Sequence, residues 1–341
     1  MKAGGWPEKY KLSKIKNEVS MEYRRVELNN RLWDKEHMIT DPAVIERAVL
    51  YEKDAANHVA RIIFNVPEKL NAVPIGAFER VRYLIEDAET DDDVKVIIFK
   101  GNGPCFGTGA DASELGHYIG YKSGKTEEEK RRPSLRQRMI PDRNFIFDGF
   151  ESAILECLKA TICQVHNYCY GAHFQMALAA DIVVAAEGTL FTHPAFRYLG
   201  PLLNFNLAFE NLPMKKIKEM VLTTRPIDAE EAYQFGLVNK VVPLERLEEE
   251  TNEFARAIAI LPLDAIMTGK ALIWSNLAAR GITTGTTMGW IGHALVTNLR
   301  FEPGEWNFIK ERREKGLTQC LRERDEMVAP YFRLSRKAKK K

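Results

Sequence analysis

Three short stretches of this chain hold side chains able to move protons or polarise a carbonyl. Asp111 and Glu114 lie in the first, Tyr170, His173 and Gln175 in the second, and His193 in the third. Histidine titrates near neutral pH and acts as general acid or base when held about 3 Å from the transferred proton. His173 and His193 are therefore candidate proton-transfer groups, against the alternative that either one satisfies a buried backbone carbonyl. Glu114 is a carboxylate in reserve as a base, although a first-turn glutamate also simply complements a helix dipole. Asp111 reads as a cap. Gln175 cannot exchange a proton near neutral pH; it can orient water or a carbonyl, or bond a neighbouring loop.

These residues need elements to hold them. Residues 94–100 (VKVIIFK) read as a buried strand, 101–104 as its turn, and 106–111 (FGTGAD) as a small-residue reversal leading into a helix at 112–115. Further on, an apolar run ends at Tyr170-Gly171-Ala172, residues 174–180 have helical spacing, and 182–186 form another apolar run. A helix opened by small residues points unpaired N–H groups, and the positive end of its dipole, at whatever sits over its first turn. Two amides, one from each reversal, can converge on one oxygen.

In these residues the chain resembles the crotonase (enoyl-CoA hydratase/isomerase) superfamily. Blocks 60–73, 106–111, 170–181, 191–199 and 222–242 occur in family order, and the similarity runs from about residue 48 to the C-terminus. The resemblance implies an α/β crotonase (ClpP-like) fold of repeated ββα units with a helical C-terminal region, assembling as a trimer or dimer of trimers. It places the oxyanion-hole donors on the N–H groups of Ala110 and Ala172, the latter where the family usually has glycine. The two hydratase glutamates fall on Gln175 and Ala195, so ordinary glutamate-driven hydration is not expected, and His193 or His173, with Glu114 in reserve, takes the acid/base role. It also sets the 67–72 loop, with Lys69 and Ala72, beside the adenine end of CoA, and allows Lys310 to reach CoA from a neighbouring subunit. The implied activity is processing of an acyl-CoA thioester through an enolate-like oxyanion, with CoA as part of the substrate and no prosthetic group. Two rivals are a C–C bond hydrolase of a cyclic β-diketone and a non-catalytic CoA-binding protein.

The remainder of the chain bounds these readings. Its 341 residues, 45% hydrophobic, allow one large domain with appendages: an arm over 1–45, a core over 46–250, and helices over 251–341 ending in a basic tail. A net charge of +2 leaves no nucleic-acid footprint. Five cysteines without metal spacing read as reduced thiols in a cytoplasmic protein, and the first residues show neither signal peptide nor membrane span. Strand-like runs at 47–52 and 58–65 suggest a hairpin, 145–159 one helix, and 229–235 a helix stopped by Gly236. Arg197, Tyr198, Asn204 and Asn206 are placed to select a substrate.

Overall fold

The computed structural model describes residues 36–117, 120–121, 126–128, 134, 139–140, 143, 149–197, 204–296 and 299–332. Most of the expected arm, most of the charged 116–144 stretch, Tyr198 and the basic tail lie outside the described residues. Helix α1 (Pro42–Ala48) starts where the Asp41 carboxylate accepts the Ala43 N–H at 2.9 Å and Pro42 opens the first turn. Its Ile45 is buried, so the boundary expected after residue 45 falls inside a helix that belongs to the core.

The expected hairpin is present. Strand β1 (Val49–Asp54) pairs antiparallel with β2 (Val59–Phe64) across a 3-10 turn at Ala55–Asn57. After helix α2 (Gly76–Thr90) come β3 (Val96–Gly101), α3 (Ser152–Glu156), β4 (Ala160–Val165), β5 (Tyr168–Tyr170), α4 (Ala172–Ala179), β6 (Ile182–Ala186) and β7 (Leu190–Thr192). Next are α5 (Phe205–Asn211), α6 (Met214–Thr223), β8 (Ile227–Asp228), α7 (Ala229–Phe235), ended by Gly236 at φ 93°, and β9 (Lys240–Val242). Helices α8 (Leu247–Ala259), α9 (Leu263–Ala279), α10 (Ile282–Val296), α11 (Phe308–Lys315) and α12 (Leu317–Glu326) complete the chain.

One sheet has the order β1-β2-β3-β4-β6-β9, parallel from β2 onward; a smaller one has the order β5-β7-β8. Strands such as β3 and β4 are continuous apolar runs because both faces of a parallel sheet are covered. Their pleat divides the core: Ile97, Phe99, Cys163 and Val165 pack with α2, α3 and α4, whereas Val96, Ile98 and Ile162 pack with Leu247 and Ala255 of α8. The boundary expected at residue 250 therefore cuts a helix that seals the sheet.

Two element predictions are corrected. The segment expected as a helix over 145–159 is helical over the described residues 149–156, a π turn running into Ser152–Glu156, and stops three residues early, because Cys157 turns to ψ 128° and Leu158 N–H is drawn to the Glu89 carboxylate at 2.7 Å before β4 begins; residues 145–148 lie outside the described residues. The helix expected at 112–115 is a run of turns. Asp111 does cap it, accepting from Ser113 N–H at 2.9 Å and Ser113 hydroxyl at 2.7 Å, and such local side-chain bonds favour turn over helix.

Candidate active site

Two loops meet at a pair of glycines. The first leaves the end of β3 and runs beside β5: Phe106 N–H donates to the His166 carbonyl at 2.9 Å, Gly107 N–H to Tyr168 at 3.0 Å, and Tyr170 N–H to Gly107 at 3.0 Å. On its other side the Gly109 carbonyl accepts from Val73 N–H at 3.0 Å, and Asp111 N–H donates to Val73 at 2.8 Å. In that alternation the Ala110 N–H between them faces away from Val73. The second loop turns at Gly171 (φ 62°, ψ −128°), whose N–H is fixed on the Thr192 carbonyl at 3.0 Å, and enters α4 at Ala172. The left-handed residue is thus Gly171. Ala172 is helical, so a methyl group there costs the turn nothing.

A Cβ placed on Gly109 would lie 3.1 Å from the Ala172 nitrogen, and one on Gly171 would lie 3.3 Å from Gly109 Cα. The backbones touch, and Gly109 also sits at φ 94°. Ala172, first in its helix, has no intrahelical acceptor, and no acceptor takes the N–H of Ala110 or Ala172 among the described residues. The structure therefore brings these two amides to one junction.

The histidines occupy different surroundings. His173 is fully buried, packed edge-on against Phe64 at 4.3 Å and Phe106 at 5.2 Å, and its Nδ1 accepts the Gly109 N–H at 3.0 Å. Nε2 then carries the proton and meets no partner among the described residues. Burial pulls its pKa down to about 3. This geometry suits a neutral tie between the loops rather than a proton carrier, because protonation would displace the Gly109 N–H. His193 is also buried; its ring stacks on Phe196 at 5.5 Å, and its Nδ1 accepts the Ala195 N–H at 3.3 Å. Burial, and then the nearby His293 of α10, lower its pKa to about 3 as well.

Glu114, the reserve base, is completely buried, with one carboxylate oxygen accepting the Ile39 N–H and the other the Ile75 N–H at 2.7 Å. Burial raises its pKa to about 7. Both oxygens are engaged in fastening the chain ahead of α2, and that fixes the segment carrying Val73. Gln175 is buried in α4, and Ala195 is buried in the turn after β7. Lys69 extends to Asp111 at 2.6 Å. Burial pushes the Asp111 carboxyl upward, but the Lys69 ammonium and Ser113 outweigh it and hold the group below the usual range. Ala72 is half-buried, with its N–H on the Lys69 carbonyl at 3.1 Å. Lys310 is exposed on α11, and this helix docks on its own chain through Arg312, which donates to the Ala112 carbonyl at 3.0 Å.

Asn71 escaped the sequence reading. Fully buried at φ 53°, it accepts the Val66 N–H at 2.8 Å and donates to the carbonyls of Asn102 at 2.9 Å and Cys105 at 2.7 Å, stitching the 67–72 loop to the first glycine loop. Its signal was an asparagine inside an otherwise apolar Leu70-Asn71-Ala72-Val73 run, since asparagine tolerates positive φ and bonds nearby backbone.

Residues 54–286 match the sequence profile described as enoyl-CoA hydratase/isomerase. The chain belongs to the enoyl-CoA hydratase/isomerase family. Within that family it is 28% identical over 262 residues to the enoyl-CoA hydratase domain-containing protein 3, mitochondrial, of Rattus norvegicus, covering 75% of this chain and 80% of the relative. A crystal structure of an enoyl-CoA hydratase from Mycobacterium smegmatis superposes with a TM-score of 0.71 at 26% identity, covering 85% of this chain and 97% of the other. An enoyl-CoA hydratase/isomerase from Xanthobacter autotrophicus Py2 gives 0.67 at 25% identity, covering 82% and 98%. The crotonase fold expected from the sequence blocks is thereby shown for this enoyl-CoA hydratase/isomerase family member.

Proposed function

We propose that the protein binds an acyl-CoA thioester with its carbonyl oxygen between the Ala110 and Ala172 N–H groups, and stabilises the negative charge that develops on that oxygen. The observation supporting this reading is the Gly109–Gly171 contact, beside which lie two amides that have no acceptor among the described residues. Such a pre-organised donor is worth about 3–4 kcal/mol of transition-state stabilisation, because it needs no reorganisation as charge appears.

With Gln175 and Ala195 at the positions where the family resemblance puts glutamates, His193 is the residue assigned to the proton-handling side. Its Nδ1 accepts from Ala195, so Nε2 is the N–H end, and the depressed pKa keeps the ring neutral at pH 7. A neutral imidazole N–H is a directional donor to a substrate oxygen rather than an imidazolium acid. Lys69, paired with Asp111, stands at the loop assigned to the CoA moiety.

The test is calorimetric binding of a panel of acyl-CoAs, with free CoA and CoA-free cyclic β-diketones as controls, followed by turnover of whatever binds. Thioester binding with conversion, slowed at least about tenfold by His193→Ala, supports the reading. Binding without conversion would leave a CoA-binding protein, and reaction of the diketones alone would remove CoA from the account.

A further inference from the structure

Arg197 closes the 3-10 turn Pro194–Arg197 that also carries Ala195 and Phe196. Its side chain is 2% exposed and meets one carboxylate, Asp325 of α12, through Nη1 at 2.9 Å. Nε and Nη2 have no hydrogen-bond partner among the described residues. These two nitrogens form the side edge of the guanidinium, whose parallel N–H groups match the two oxygens of a carboxylate. Asp325 is itself 42% exposed and also accepts from Arg324 Nε at 2.7 Å, so it neutralises Arg197 only in part. A buried cation with an unused fork is costly unless something fills the fork, since charged donors removed from water lose their hydration without replacement.

The place of that fork is defined by the second loop. The strand ahead of the turn, β7, pairs with β5 in the register Tyr170 opposite Thr192, and the Thr192 carbonyl holds the Gly171 N–H. Arg197 is near enough to Tyr170 for the phenol and guanidinium to interact electrostatically. Thr192 Oγ1, buried on the same strand, is another polar atom without a partner among the described residues. The unfilled donors thus sit on the turn that follows the strand fixing Gly171, and no contact joins them to the Lys69 loop among the described residues.

We propose that Arg197 is the receptor for a carboxylate carried at the far end of the acyl group, so that the protein selects dicarboxylic over monocarboxylic acyl thioesters. This rests on the acyl-CoA reading above. The same edge could take a phosphate of CoA, and the assay separates the two anions.

Binding is measured by calorimetry for matched pairs of equal chain length: succinyl- with butyryl-CoA, glutaryl- with valeryl-CoA, and adipyl- with hexanoyl-CoA, beside free CoA and free glutarate. At least one dicarboxylic member binds about tenfold or more tightly than its partner, and Arg197→Met removes that preference while leaving the neutral thioester unchanged. Arg197→Lys, which keeps the charge but not the fork, restores only part of it. Equal affinities within every wild-type pair would overturn the proposal while leaving the acyl-CoA reading intact. An equal loss for both members and for free CoA in Arg197→Met would reassign the guanidinium to phosphate and overturn it too. If no CoA compound binds but glutarate does, in an Arg197-dependent way, the carboxylate site stands and the acyl-CoA reading falls.

Discussion

The glycine junction and the turn after β7 lie on either side of the same short helix entrance, yet they are built by opposite means. At the junction the proposed working groups are backbone amides, fixed by neighbouring peptide bonds and by the close contact of Gly109 with Gly171. At the turn the proposed working groups are side chains, His193 and Arg197, buried beside α10 and α12. His173 belongs to the first region and His193 to the second. Both are driven to a pKa of about 3 by burial, so equal burial does not mean equal duty. One histidine holds a loop; the other is the one proposed to meet a ligand.

The sharpest way to break this comparison is to remove each ring. His173→Ala empties a site lined by Phe64, Phe78 and Phe106 and strips the Gly109 N–H of its acceptor, so unfolding in urea should show a loss of about 3 kcal/mol. His193→Ala should lower turnover about tenfold or more while costing less stability than His173→Ala, read by kinetics and urea titration in parallel. Equal destabilisation with equal activity loss would dissolve the distinction.

Acidity sharpens it further. A histidine whose folded pKa lies below its unfolded value of 6.5 binds fewer protons when folded, so stability falls as pH drops from 6.5 toward 3, by about 1.4 kcal/mol per pH unit for each such ring. Glu114 acts in the other direction: its raised pKa favours the fold most below 4.5, and that contribution is lost as pH rises through about 7. Urea titrations across pH 4 to 8 should give a shallower acid limb for His173→Gln and, because Glu114 opposes the histidines between pH 4.5 and 6.5, a steeper one for Glu114→Gln. The smallest effect belongs to Lys69→Ala. Because Lys69 is half-exposed, its ion pair with Asp111 should be worth no more than about 1 kcal/mol in thermal unfolding, and less in high salt.

The backbone-made region was legible in the sequence because its requirements are local. Two small-residue reversals after apolar runs announce exposed amides, although the close contact of Gly109 with Gly171 joins distant segments and shows only in the fold. The side-chain region was not. His193 has its pKa lowered by burial and then by His293, a residue 100 positions away in α10, and nothing near residue 193 signals it. Arg197 was marked as a substrate-selecting residue, but its half-neutralisation by Asp325 spans 128 residues. Likewise, the turns at 112–115, favoured locally by the Asp111–Ser113 bonds, are fastened through Glu114 to Ile39 and Ile75, contacts that no helical pattern contains.

The central claim is that Ala110 and Ala172 N–H groups polarise a thioester carbonyl. Isotope-edited infrared spectroscopy of a bound acyl-CoA labelled with carbon-13 at the carbonyl reads that polarisation directly. The account predicts a carbonyl stretch moved to lower frequency than in free solution, and largely returned in Gly109→Ala, where the added Cβ would crowd the Ala172 nitrogen at 3.1 Å. A bound thioester vibrating at its solution frequency in the wild type would contradict it.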